Sequence, residues 1–301
     1  IEESNAQYAA EARGIDINYQ NTVTLGNASL TVQAVNEQGM AEDFVRAAGM
    51  SADGTSGANE VKADSLFIQA DAKGNKEVKA WGVGLTRGSI GSIGNGDITA
   101  SAVSRGSDEK DMAWARGIYS GDGSQLVKGN GSITATAEGK VTVTAYGIHT
   151  YGANSQISVE TSDIVTRTEG EDADSNNVQS VGILAKGGTI TLKGGSIDAS
   201  SNNTESFICG VWATEGGQVT LGSEGKSLSI SASGSDAARG IDVDADSSLS
   251  MNGAVSIDAP VALRGSGAVE NNGNFTITEG TVNTFTGVYT QKAGSTVLQK
   301  D

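Results

Sequence analysis

The chain predicts an all-β fold, a right-handed single-stranded parallel β-helix of about nine coils with three short strands per coil. Three observations carry that reading. A phrase of a small residue, any residue, glycine and an aliphatic residue returns throughout: Ala12-Arg-Gly14-Ile15, Ala47-Ala-Gly49-Met50, Ala80-Trp-Gly82-Val83, Ala115-Arg-Gly117-Ile118, Ala145-Tyr-Gly147-Ile148, Ser180-Val-Gly182-Ile183, Ile208-Cys-Gly210-Val211 and Ala238-Arg-Gly240-Ile241. Successive glycines lie 28 to 35 residues apart, so a rigid phrase is joined by elastic spacers. Stacked repeats leave this record, because core-facing strands cannot change length while surface loops can. Secondly, each repeat contains runs with period-2 alternation bounded by glycine turns. Thirdly, the composition suits a slender all-β solenoid.

The sixth repeat gives the internal order. Gly182-Ile-Leu-Ala185, Thr189-Ile-Thr-Leu192 and Ser196-Ile-Asp-Ala199 are separated by Lys186-Gly-Gly188 and Lys193-Gly-Gly195. The seventh repeats it with Gly210-Val-Trp-Ala213, Gln218-Val-Thr-Leu221 and Ser227-Leu-Ser-Ile-Ser-Ala232. These are strand signatures, and no stretch of 3.6 periodicity competes with them. Each strand is too short to bury its apolar face alone and needs the next repeat stacked upon it.

With 42 Gly, one Pro and 5% aromatic residues, the composition fits a narrow interior of Ile, Val, Leu, Ala and Thr. Proline would remove a ladder donor from any strand paired on both sides, and Pro260 is expected beside a strand end. No linker divides the 301 residues. Residues 1–267 read as β-helix repeats and 268–301 as terminal coils or a cap.

Acidic residues outnumber basic ones by 36 to 20, a formal net charge of -16. Such a surface repels nucleic acid and anionic membranes. Much of the acid falls in the spacers Glu37 to Asp43, Ser107 to Asp111 and Glu169 to Asp174, expected as a row of loops along one edge. The row reads either as a solvated ridge or as a place for a divalent cation such as Ca2+. A single Cys209 forbids an intramolecular disulfide and reads as a small buried side chain. No apolar run is long enough to span a membrane, and the first residue is Ile, so any export signal or anchor is expected outside this fragment.

The Gly-rich, Pro-poor, nearly Cys-free β-helix resembles the secreted passenger domain of a Gram-negative autotransporter, of the pertactin and AIDA type. Val269-Glu-Asn-Asn-Gly-Asn-Phe-Thr-Ile-Thr278 and Tyr289-Thr-Gln-Lys-Ala-Gly-Ser-Thr-Val-Leu298 look like the N-x-G and Y-x-Q-x-x-G-S phrases of the last coils of such passengers. The resemblance covers most of the chain in pattern and is specific in about its last 30 residues. It implies a virulence-associated adhesin, exposed at the outer membrane or secreted, with the anchoring barrel beyond this chain. The implied partners are a host glycan, an extracellular-matrix protein or another copy of the chain.

Catalysis finds little support. Gly121-Asp-Gly-Ser124 departs from the Gly-Asp-Ser-Gly-Ser phrase of serine-protease passengers at the nucleophile. No Gly-x-Ser-x-Gly elbow exists, and His149 is the only histidine. No catalytic residue is assigned. The residual enzymatic reading is a polysaccharide lyase or hydrolase using Asp242 and Asp244. In an extended strand Asp242, Asp244 and Asp246 would project outward about 7 Å apart, suited to a cation or to acid/base work, with Arg239 and Arg264 near in sequence. A phage tailspike-like β-helix is a further alternative.

Aligned on the glycine, the position two residues later holds Asp16, Ser51, Gly84, Tyr119, His149, Leu184, Trp212 and Asp242. Strand alternation turns it outward, so Tyr119, His149, Leu184 and Trp212 would stack at about 4.8 Å, with Tyr151 pointing the same way. Two readings stand: an exposed ligand-binding strip of Tyr119, His149, Tyr151, Leu184 and Trp212, or a strip buried beneath a spacer loop as a satellite core. A second strip could come from the residue before each glycine, if a bulge shifts the alternation there.

Overall fold

The computed structural model describes residues 9–36, 44–54, 57–108, 111–170, 177–281 and 284–299. Among them there is no α-helix, and twenty-seven strands join one parallel sheet coiled into a solenoid. Three columns of strands run its length. The sixth coil contributes Val178–Lys186, Thr189–Leu192 and Gly195–Ser201, and each strand pairs with its counterparts in the coils before and after.

About seven complete turns form, fewer than the nine expected. The first two coils lack a turn between the second and third columns, where Thr22–Val35 and Glu60–Gly74 run straight through both. Glu60–Gly74 then pairs with two separate strands of the following coil, Ile90–Asn95 and Ile98–Ser104. The last coil has only the two-residue strand Thr284–Phe285 in the first column. Pro260 lies inside the continuous strand Ala254–Gly265, not beside its end. The ladder nevertheless spares it: pairing with the third column stops at Asp258 and pairing with the first column resumes at Val261, so the missing N–H falls at the corner.

The repeated glycine is explained by the core. Every register in the first column skips it, as between Tyr146↔Val181 and Ile148↔Ile183. Its neighbour across the interior is a ladder of isoleucines in the third column, Ile68, Ile98, Ile133, Ile164, Ile197, Ile230, Ile257 and Ile277 in unbroken register. A Cβ on Gly49, Gly82, Gly117, Gly147, Gly182, Gly210 or Gly240 would meet the Cγ2 of the isoleucine in the same coil well inside 3.0 Å. Close approach therefore fixes these glycines.

The skipped glycine also decides which side chains face out. In Met112–Gly121, Ala113 and Ala115 point inward before it and Ile118 and Ser120 after it, all fully buried. Trp114, Arg116 and Tyr119 point the other way. The bulge thus places three rows on one outer face: the residues three before, one before and two after each glycine.

Candidate ligand-binding face

The three rows form a mosaic down the first column. Its middle is a second hydrophobic cluster, separate from the solenoid core, made of Tyr146, Val181, Leu184 and Cys209 with Trp114, Phe207 and Trp212 packed on it. The expectation of an exposed strip therefore fails for His149, 5% exposed, and for Leu184, 4% exposed. Tyr119 and Trp212 are half-buried, and Tyr151 alone is openly exposed. Neighbouring rows contribute to this burial: the ring of His149 lies 5.3 Å from Tyr119 and 5.2 Å from Tyr146, and Phe207 lies 4.8 Å from Trp212. The spacer residues 37–43, 109–110 and 171–174, expected as an edge row of loops, lie outside the described residues.

Arg116 sits at the centre of this ridge. Its guanidinium stacks 3.9 Å from the Trp114 ring and 4.6 Å from Tyr119, with Tyr146 at 6.0 Å. Burial lowers its pKa to about 10, opposed by Tyr119 and Tyr146. Both ring nitrogens of His149 are buried without a hydrogen-bond partner. Burial first, then the positive charges of Arg116 and Lys186, hold the imidazole well below its ordinary 6.5, so it is neutral. A neutral, enclosed histidine packs as an aromatic ring and does no acid–base work here. Cys209 is likewise fully buried, and desolvation, with Asp242 adding to it, pushes its thiol up out of reactive range.

Two polar clefts flank the ridge. At its C-terminal end Trp212, Arg239, Asp242, Asp244, Arg264, Thr284 and Thr286 line a hollow of about 340 Å³. The stacking brings together what the sequence scattered: Asp242 pairs in register with Trp212 on one side and Arg264 on the other. Arg239 donates to Asp242 Oδ2 at 2.6 Å, and Trp212 Nε1 donates to Asp244 Oδ2 at 3.2 Å. Desolvation pushes the Asp242 carboxyl up, opposed by Arg239. Arg264 is exposed. At the other end a hollow of about 220 Å³ opens above Gly84, between Trp81 and Tyr119. A larger hollow, about 730 Å³ at the corner between Ser231 and Pro260, is lined among the described residues only by Ser, Thr, Ala, Gly, Asp and Pro, and offers no aromatic wall or cation.

The expected cation site of Asp242, Asp244 and Asp246 does not assemble. Among the described residues no three His, Cys, Asp or Glu side chains converge on a point. Asp242 is committed to Arg239 and Asp244 to Trp212, while Asp246 sits in the turn after Arg239–Val243 at φ 66°. Sequence reasoning put Trp81 in the second strip, before its glycine, and Gly84 in the outward row, but named neither as a site residue. The signal was there: glycine interrupts an otherwise side-chain-bearing row, and a tryptophan stands three residues before it in the same strand.

The fold and face define a class: a parallel β-solenoid whose first column carries a sealed aromatic ridge between two open polar clefts. Comparison with known families, with curated proteins and with solved structures finds no match to this chain. Among the described residues no helix is long and apolar enough to cross a membrane.

Proposed function

We propose that the chain is a binding scaffold of the autotransporter passenger type, displayed at or released from the surface of a Gram-negative bacterium, which holds a glycan or protein partner along the outer face of its first column. The observation that carries this reading is the C-terminal cleft. Trp212 offers part of an indole held in place by Asp244, and the exposed guanidinium of Arg264 and the hydroxyls of Thr284 and Thr286 stand around it. An aromatic wall with convergent polar groups suits the apolar face and hydroxyls of a sugar, or a protein loop. The solenoid supplies rigidity, so contacts repeated from coil to coil can add. An array of glycans and extracellular-matrix proteins, probed with the wild type and with Arg264→Ala, tests it. Specific binding weakened about tenfold by the substitution supports the reading; no binding to any class defeats it.

A second reading rests on one observation, the raised pKa of Asp242 beside Asp244 and between two arginines. A carboxyl whose proton affinity is raised by desolvation, next to a second carboxylate, is the kind of pair that glycosidic cleavage uses for acid–base work. Incubation with neutral and uronic-acid polysaccharides decides: new reducing ends or unsaturated product, abolished by Asp242→Asn, would replace binding by catalysis.

A further inference from the structure

We propose that the notch above Gly84 is a separate binding site that accepts one ring of a neutral saccharide. Gly84 stands in register between Ser51 and Tyr119 in the row whose other members all carry side chains. Nothing structural demands glycine there. A Cβ would meet only Trp81 Cε3 at 3.8 Å and Met50 O at 4.0 Å, and the backbone is not left-handed. The seven phrase glycines with an isoleucine beside them contrast with it, since each is packed tight. What the missing side chain produces is the hollow itself, about 220 Å³, walled by Trp81 and Tyr119.

Each wall is braced by a stacked arginine, Arg46 within the lining of the hollow itself. Arg46 stacks 3.8 Å from the Trp81 ring and Arg116 4.6 Å from the Tyr119 ring, so two aromatic surfaces are fixed before any ligand arrives. The polar lining sets the ligand's charge. Arg13 pairs with Asp16, Arg46 with Glu11 at 3.2 Å and Arg87 with both oxygens of Asp53 at 3.1 Å, so an anion finds no spare cation. The Asp122 carboxylate has no hydrogen bond or ion pair among the described residues, and it faces the hollow as an acceptor for hydroxyls. The overall charge of -16 disfavours acidic sugars further.

The inference shares with the proposed function only the idea of a glycan-facing surface; the site and its residues are different. It is tested by titrating a panel of soluble neutral hexasaccharides (gluco-, manno-, xylo- and galacto-configured) into the wild type, Gly84→Leu, Asp122→Asn and Arg264→Ala. Leucine occupies the equivalent row position at Leu184, and asparagine tolerates the φ of 53° at Asp122, so both variants are expected to keep the wild-type melting temperature. The expected result is binding of at least one neutral saccharide, weakened tenfold or more by Gly84→Leu and by Asp122→Asn. Binding lost in Arg264→Ala and kept in Gly84→Leu would overturn the notch while leaving the other cleft as a glycan site. Absence of binding to every neutral saccharide, with capture of acidic glycans or proteins only, would also overturn it. Should Gly84→Leu fold poorly, Asp122→Asn carries the test alone.

Discussion

The Cγ2 of Ile164 occupies the space in which a side chain on Gly147 would begin, and the carbonyl oxygen of Gly182 closes the same space from the next coil at 2.6 Å. Sequence repetition becomes structure at this contact, because the same glycine–isoleucine pair recurs from Gly49–Ile68 to Gly240–Ile257.

Overpacking of a close-packed interior costs roughly 1–3 kcal/mol for added methyl-sized groups. Gly147→Ala is therefore expected to lower stability by about that amount in urea unfolding followed by circular dichroism. Gly84→Ala, in the open row of the same column, is expected to leave stability unchanged or to raise it slightly, as replacing glycine in a strand does. Equal losses at the two positions would contradict the packing account.

Lys128 is a charge inside the solenoid. Its neighbours in register are Ile93 and Val159, it is fully buried, and its Nζ donates to the Asn130 carbonyl at 3.1 Å. Burial lowers its pKa to about 8, opposed by Asp97. Between that value and its ordinary 10.5 the unfolded chain binds the proton and the folded one does not, so stability contributed at this site rises as pH climbs from about 8 to 10.5 and is at its lowest below 8. Lys128→Met is expected to stabilise the protein at pH 7 by about 1–3 kcal/mol and to flatten that part of the pH profile. A destabilised variant would assign the Nζ–carbonyl contact more weight than the cost of burying the charge.

His149 gives the opposite limb. Its folded pKa lies well below 6.5, so as pH falls below 6.5 the unfolded chain takes up a proton that the folded one refuses, and stability is lost. Tyr119 and Leu184 occupy the same row in the adjacent coils, so Phe fits at this position. His149→Phe is expected to lose less stability than the wild type between pH 7.5 and 5, followed by tryptophan fluorescence. Parallel losses in the two proteins would mean that the imidazole is reached by solvent.

Cys209, enclosed between Val181 and Arg239 in register, is expected to resist a thiol reagent such as dithionitrobenzoate in the native state and to react stoichiometrically in denaturant. Rapid native labelling would show that the ridge opens.

Much of the fold was legible because its signals are local and repeated: strand alternation, glycine turns and the phrase that marks each coil. The number of turns was less so, since nothing in the sequence announces that Thr22–Val35 and Glu60–Gly74 pass straight through a corner that later coils mark with glycine. The outer face was read half correctly. Alternation rightly turned Tyr119, His149, Leu184 and Trp212 outward, but outward is not the same as exposed. The bulge at each glycine brings the preceding residue onto the same side, so that Arg116, Tyr146, Val181 and Cys209 fill the gaps and seal the centre. How far neighbouring rows close over one another depends on side-chain volumes in three coils at once, and a linear pattern does not carry that sum. For the same reason Asp242 and Asp244 appeared as a free pair, although Arg239 and Trp212 already hold them.

The account stands on the outer face of the first column being where a ligand is met. Its most direct test is one binding measurement on the array that compares substitutions facing outward from different columns: Arg264→Ala and Asp122→Asn at the first, Ser158→Lys and Thr191→Lys on the flat strands of the second. The expected result is that each first-column variant weakens binding of the ligand held at its own cleft and that neither second-column variant weakens binding of any ligand. Loss of binding with Ser158→Lys or Thr191→Lys, while both first-column variants bind as the wild type does, would contradict it.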